Sequence, residues 1–131
     1  MAKYIYPAIF TKEDEGGYSI LFPDLQGCYT QGEEMQDSLE MANDVLCFTL
    51  YDLEIENAEI PPPSDPSTIK CDENSFITLV SCDTIEYRRF FDNKAVKKTL
   101  TIPSWLNKMA EQADLNFSQI LQNALKEKLL I

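Results

Sequence analysis

Histidine is absent from this 131-residue chain. Its absence removes the commonest general base, every Ser-His or Cys-His nucleophile pair and every zinc site with His ligands, so much enzymology is excluded at once. Long apolar runs are missing too. No stretch approaches the roughly 18 residues that a membrane helix needs, and Lys3, Pro7 and Lys12 interrupt the start, where a secretory apolar segment would lie. A cytoplasmic protein is expected. Close cysteine pairs are also lacking: the nearest two of Cys28, Cys47, Cys71 and Cys82 stand 11 positions apart, so no C-x-x-C forms. All four are expected as reduced core residues, with an all-cysteine metal site or disulfides as the alternatives. No internal repeat is visible.

What is present suits a folded chain, with 44% hydrophobic and 25% charged residues. The net charge of −11 is unevenly spread. Residues 1–87 hold three basic residues against 18 acidic ones, net −15, whereas residues 88–131 hold eight basic against four acidic, net +4. An acidic body joined to a basic tail implies two modules, 1–87 and 88–131, with partners of opposite charge.

The first module reads as α+β. Lys3 to Phe10 is rich in aromatic and β-branched residues and turns at Glu15-Gly16-Gly17 into a second strand, Tyr18 to Pro23. Cys28 to Gln31 can add a third strand before Gly32. From Glu33 to about Leu53 the apolar positions Met35, Leu39, Ala42, Leu46, Leu50 and Leu53 recur at steps of three and four, with Val45 and Phe48 widening the face. That spacing predicts a helix, and Glu33, Glu34 and Asp37 suit the positive end of its dipole. A further strand is predicted over Ser75 to Cys82, after an irregular, proline-rich connection over residues 57–67.

In the second module Lys97, Thr99 and Thr101 alternate with Leu100 and Ile102, which predicts one strand with a polar face. Pro103 ends it and suits a helix's first turn, after which Trp105 or Leu106, Met109 and Ala113 keep helical spacing. Asn116 to Gln119 fits a capping box, in which Gln119 returns to the N-cap, with Leu115 and Ile120 as a hydrophobic staple, so a second helix should run almost to Ile131. A lone strand in about 40 residues has no ladder partner and no independent core, so this module should exist only as a dimer.

Two copies pairing their strands antiparallel would resemble the ribbon-helix-helix family of DNA-binding domains. The resemblance implies that the ribbon enters the major groove, with Lys97, Thr99 and Thr101 reading base edges. Asn116 and Ser118, at the start of the second helix, would clamp a phosphate. Threonine at two reading positions implies modest contact energy per residue.

The motifs Tyr6-Pro7-Ala8-Ile9-Phe10, Asp14-Glu15-Gly16-Gly17-Tyr18, Phe22-Pro23-Asp24-Leu25, Gly27-Cys28 and Thr30-Gln31-Gly32, followed by an acidic helix, resemble the N-terminal half of the HicB antitoxins. The match runs in order through about residue 50. It implies a partial, inactive ribonuclease H-like sheet with a packed helix. The implied partner is a small basic toxin, HicA, which cleaves messenger RNA with a histidine. It also implies repression of the chain's own operon through operator DNA. The net charge of −15 fits a partner whose surface is built to hold RNA.

Asp14, Glu15, Asp24, Glu33 and Glu34 are the candidate toxin contacts. No catalytic residues, metal ligands or cofactor are implied. The homodimer would form through the C-terminal strand, with pairing of dimers into tetramers left open. Two rival readings come from other classes. A stand-alone ribbon-helix-helix transcription factor would use the first module for ligand binding or oligomerisation. A nuclease would need scattered carboxylates to converge on Mg2+, a site whose loss the resemblance implies.

Overall fold

Alternation along the first strand decides which side of the sheet becomes the core. The computed structural model describes residues 3–131. In β1 (Lys3–Lys12) the even positions Tyr6, Ala8 and Phe10 are buried, and they meet Ile20 of β2 (Tyr18–Leu21) and Val80 and Cys82 of β4 (Ser75–Asp83). With β3 (Tyr29–Gly32), the four strands form one antiparallel sheet in the order β3-β2-β1-β4. Proline inside an inner strand is normally excluded because it cannot donate to a ladder. Pro7 escapes this. The pairing of β1 with β2 begins only at Ile9, so at Pro7 the strand has β4 alone beside it.

Helix α1 (Met35–Ile55) crosses one face and closes the core with Ala42, Leu46, Cys47 and Leu50. Its buried face is narrower than the apolar spacing predicts, since Phe48 points outward and is 59% exposed. The helix sits tight against β3 at Gly32. A Cβ there would lie 2.6 Å from the Ser38 Cα and 2.3 Å from its Oγ. That contact explains Ser38, buried in a helix face otherwise apolar. Gly32→Ala should therefore cost about 2 kcal/mol of stability, because backbone rather than a flexible side chain must move. A denaturant midpoint equal to wild type would show that β3 and α1 separate at no cost.

The connection from α1 to β4 is irregular apart from a single helical turn over Pro66–Thr68, but it is pinned. The Tyr6 hydroxyl donates to the Pro61 carbonyl, and the Ser64 N–H donates to Asp24 Oδ2 at 2.9 Å. After β4 comes a helix that the sequence reading left out, α2 (Thr84–Phe91), whose N-cap Asp83 accepts from Ile85 N at 3.0 Å and Glu86 N at 3.3 Å.

The chain divides into two units, one closing at Lys94 and the other covering Ala95–Ile131. Helix α2 spans the position where the charge changes sign, and it stays with the first. The second unit contains α3 (Ser104–Gln112) and α4 (Phe117–Leu129), joined through Asp114 with φ of 55°. Lys97 to Ile102 form no ladder within the single chain. Among the described residues, no helix is long and apolar enough to cross a membrane.

Candidate functional site

Two glycines bring the acidic residues of the first unit together. The β1–β2 turn is held by Glu13 N donating to Gly17 O and Gly16 N donating to Glu13 O, both at 3.1 Å. Gly17, at φ of 84°, lies so close to the end of β3 that a Cβ would fall 2.6 Å from Gly32 O and 3.5 Å from the Glu33 Cα. The turn carrying Asp14 and Glu15 therefore abuts the start of α1, where Glu34 is the N-cap residue and Glu33 N donates to Asp37 Oδ2 at 2.9 Å. Asp14, Glu15, Glu33 and Glu34 are all exposed.

Part of this charge has a local reason, since carboxylates at a helix start are favoured by its dipole. Those in the turn have none. Asp24 stands apart from the other four. It is half-buried and accepts both the N–H and the hydroxyl of Ser64, so its carboxylate fastens the proline-rich connection to the sheet.

A second carboxylate ties the first unit together. Glu54 Oε2 accepts from the Tyr4 hydroxyl at 2.8 Å and the Thr84 hydroxyl at 3.0 Å, while Oε1 pairs with Arg88 Nη2 at 3.0 Å. One side chain thus joins α1 to β1 and α2. Burial, and then the bond to Glu54, hold the Tyr4 hydroxyl well above the usual phenol range. The Arg88 guanidinium also lies 5.1 Å from the centre of the Tyr51 ring.

Cys28, Cys47 and Cys82 are buried free thiols, and the neighbouring Cys47 thiol, and then burial, push the Cys82 thiol well above the usual range. Cys71 departs from the core reading. It is exposed, because it lies in the loop before β4 rather than on an element facing the sheet. Among the described residues, no group of three or more Cys, Asp or Glu side chains is placed to hold a metal.

In the second unit Lys97, Thr99, Thr101, Asn116 and Ser118 are all exposed. Asn116 Oδ1 accepts from Gln119 N at 3.0 Å and so caps α4. Only half of the expected capping box is made. The Gln119 side chain donates to Asn123 Oδ1 at 3.0 Å, one turn on, instead of returning to the cap. Ser118 Oγ accepts from Gln122 Nε2 at 3.3 Å. No side chain from Ala95 to Ile131 is buried, although Leu100, Ile102, Trp105, Met109 and Ile120 lie within it.

Sequence comparison matches residues 6–124 to the profile of a family described as HicB-like antitoxin of bacterial toxin-antitoxin system. The chain belongs to this HicB-like antitoxin family. Antitoxin HicB of Escherichia coli K12 is 38% identical over 61 residues, covering 47% of this chain and 44% of that protein. The chain thus spans less than half the length of the curated HicB relatives it matches.

Solved structures extend the likeness. A toxin-antitoxin complex from Streptococcus pneumoniae contains a chain 34% identical, with a TM-score of 0.63 over 96% of this chain and 99% of that one. A chain of the HicA3 and HicB3 toxin-antitoxin complex is 29% identical, with a TM-score of 0.51 over 61% of this chain and 99% of its own length. Among the described residues, the α+β architecture, with its four-stranded antiparallel sheet and four α-helices, matches that of the solved antitoxin structures.

Residues missed by sequence reasoning lie on α2 and the outer side of α1. Asp83-Thr84-Ile85-Glu86 carries the N-cap signal, with an acidic residue three positions after the cap, that marks α2.

Proposed function

We propose that this chain is the antitoxin of a HicA-type toxin that cleaves messenger RNA, and that it represses its own operon by binding operator DNA. The observation that carries the reading is the chain's likeness, over 96% of its length, to a member of a solved toxin-antitoxin complex. On this reading the first unit is a partial ribonuclease H-like domain that acts by binding, without catalysis, in the cytoplasm.

Its acidic end, formed by Asp14, Glu15, Glu33 and Glu34, faces the cationic toxin. Asp24, already engaged by Ser64, supports the fold there instead. The second unit is a ribbon-helix-helix domain. Its strand, Lys97 to Ile102, forms only when two chains pair, and such dimers are able to pair further into tetramers. The apolar side chains of residues 95–131, none of them buried in the single chain, support a dimer.

The test is direct. The purified chain should suppress RNA cleavage by the HicA-type protein encoded beside it. Reversal of Glu33 and Glu34 to lysine should slow association about tenfold and weaken its dependence on salt. Undiminished cleavage in the presence of excess folded chain would defeat the reading.

A further inference from the structure

Three apolar residues of α1 stand outside the core at intervals of seven: Met41, Phe48 and Ile55. Seven residues is close to two helical turns, so they fall on one line along the outward side of the helix. All three are exposed, Phe48 and Ile55 by nearly three-fifths. The line does not end at the helix. Tyr51, one turn from Phe48, has its ring 5.5 Å from Tyr87 of α2, Tyr87 is 4.5 Å from Phe91, and Phe91 is 4.8 Å from Phe90. Phe90 is 80% exposed. Single exposed apolar side chains need no explanation, but several aromatic and aliphatic ones grouped on one side mark a surface that meets another molecule.

The charges beside this run select the occupant. Asp37, Glu40, Asp44 and Asp52 occupy the same exposed side of α1, and the exposed Glu56 follows at its end. Lys and Arg are absent from the whole sequence between Lys12 and Lys70. On α2, Arg88 is taken up by Glu54 and Tyr51, which leaves Arg89 as the other cation of that helix. A second copy seated here by two-fold symmetry would bring two acidic rows into register, and like charges across an interface oppose association. A cationic face with apolar side chains at its centre meets no such penalty.

We infer that the outward line of α1, continued over Phe91 and Phe90, is the principal seat of the cationic partner. The apolar residues would set the lifetime of the complex, and the flanking carboxylates its orientation and speed of formation. The identity of the partner as the toxin rests on the function proposed above, whereas the character of the surface stands independently.

The experiment uses the full-length chain and the HicA-type protein encoded beside it, carrying alanine in place of its catalytic histidine. Phe48→Ala with Ile55→Ala should raise Kd at least about tenfold, chiefly through faster dissociation. Asp44→Asn with Asp52→Asn should slow association and flatten its salt dependence. Circular dichroism keeps a folding defect from passing as a binding defect, and both pairs are exposed enough to leave the fold intact.

Wild-type binding with a Kd unchanged to within about twofold in the Phe48/Ile55 variant would overturn this inference and leave the antitoxin reading standing. A Phe48/Ile55 variant that changes the mass by light scattering, while toxin affinity holds, would assign the surface to a second copy and overturn it too. A wild-type chain that does not bind the toxin at all would remove the occupant and the antitoxin reading together.

Discussion

Leu100→Glu together with Ile102→Glu should leave the protein monomeric at micromolar concentration, where the proposed function calls for a dimer of the unaltered chain. In the single chain these two side chains are 60% and 46% exposed, and no side chain of the second unit is buried. Burying a leucine or isoleucine is worth about 1.5–3 kcal/mol. Two such residues from each of two chains, each already about half covered, contribute roughly 3–6 kcal/mol, a large share of the roughly 8 kcal/mol that holds a micromolar complex. Glutamate forfeits that gain and adds the cost of burying charge. Helical signal from α3 and α4 should fall with the dimer, since neither helix has a core of its own. A wild-type mass by light scattering for the double variant would place the dimer contact away from this strand.

Operator recognition carries the second large effect. Alanine at Lys97, Thr99 and Thr101 removes every polar side chain from one face of the expected ribbon. A lost base contact costs about 1–3 kcal/mol, so operator affinity should drop at least about a hundredfold while nonspecific binding changes little.

Ser118→Ala should instead weaken all DNA alike, because a phosphate at the start of α4 carries no sequence information. Asn116 is a less clean probe. Its side chain already caps the helix through Gln119 N, so its replacement costs about 1 kcal/mol of helix stability before any DNA is bound. Gel-shift titrations at two salt concentrations separate these effects, and binding should fall steeply with salt. Unchanged operator affinity in the triple variant would keep this face out of the groove.

How far the sequence discloses the molecule depends on how local each signal is. Alternation in β1 and the Glu15-Gly16-Gly17 turn are local, and the strands they predict match those observed to within a few residues. The outward position of Phe48 is not local. Helical spacing gives an apolar face, but the width of the sheet beneath decides how much of that face is covered, and four strands cover only the side of Ala42, Leu46 and Leu50.

Helix α2 illustrates a different difficulty. Its cap at Asp83 is readable, yet its anchor is Glu54, 34 positions from Arg88, and no periodicity reports such a pair. The candidate contacts divide in the same way. Asp14, Glu15, Glu33 and Glu34 converge because Gly17 and Gly32 permit close approach of a turn and a helix start. Asp24 has the same charge and a similar sequence setting, but the distant Ser64 claims it. For the second unit, the alternation of Lys97 to Ile102 is plain in the sequence, while the single chain makes no ladder there.

Co-expression of the tagged chain with the protein encoded beside it, followed by sizing of the purified material, tests the central claim most directly. The account predicts one complex containing both proteins, built on a dimer of this chain and inactive on RNA until denaturant strips the antitoxin away. Elution of this chain by itself, with RNA cleavage intact in a separate fraction, would contradict it.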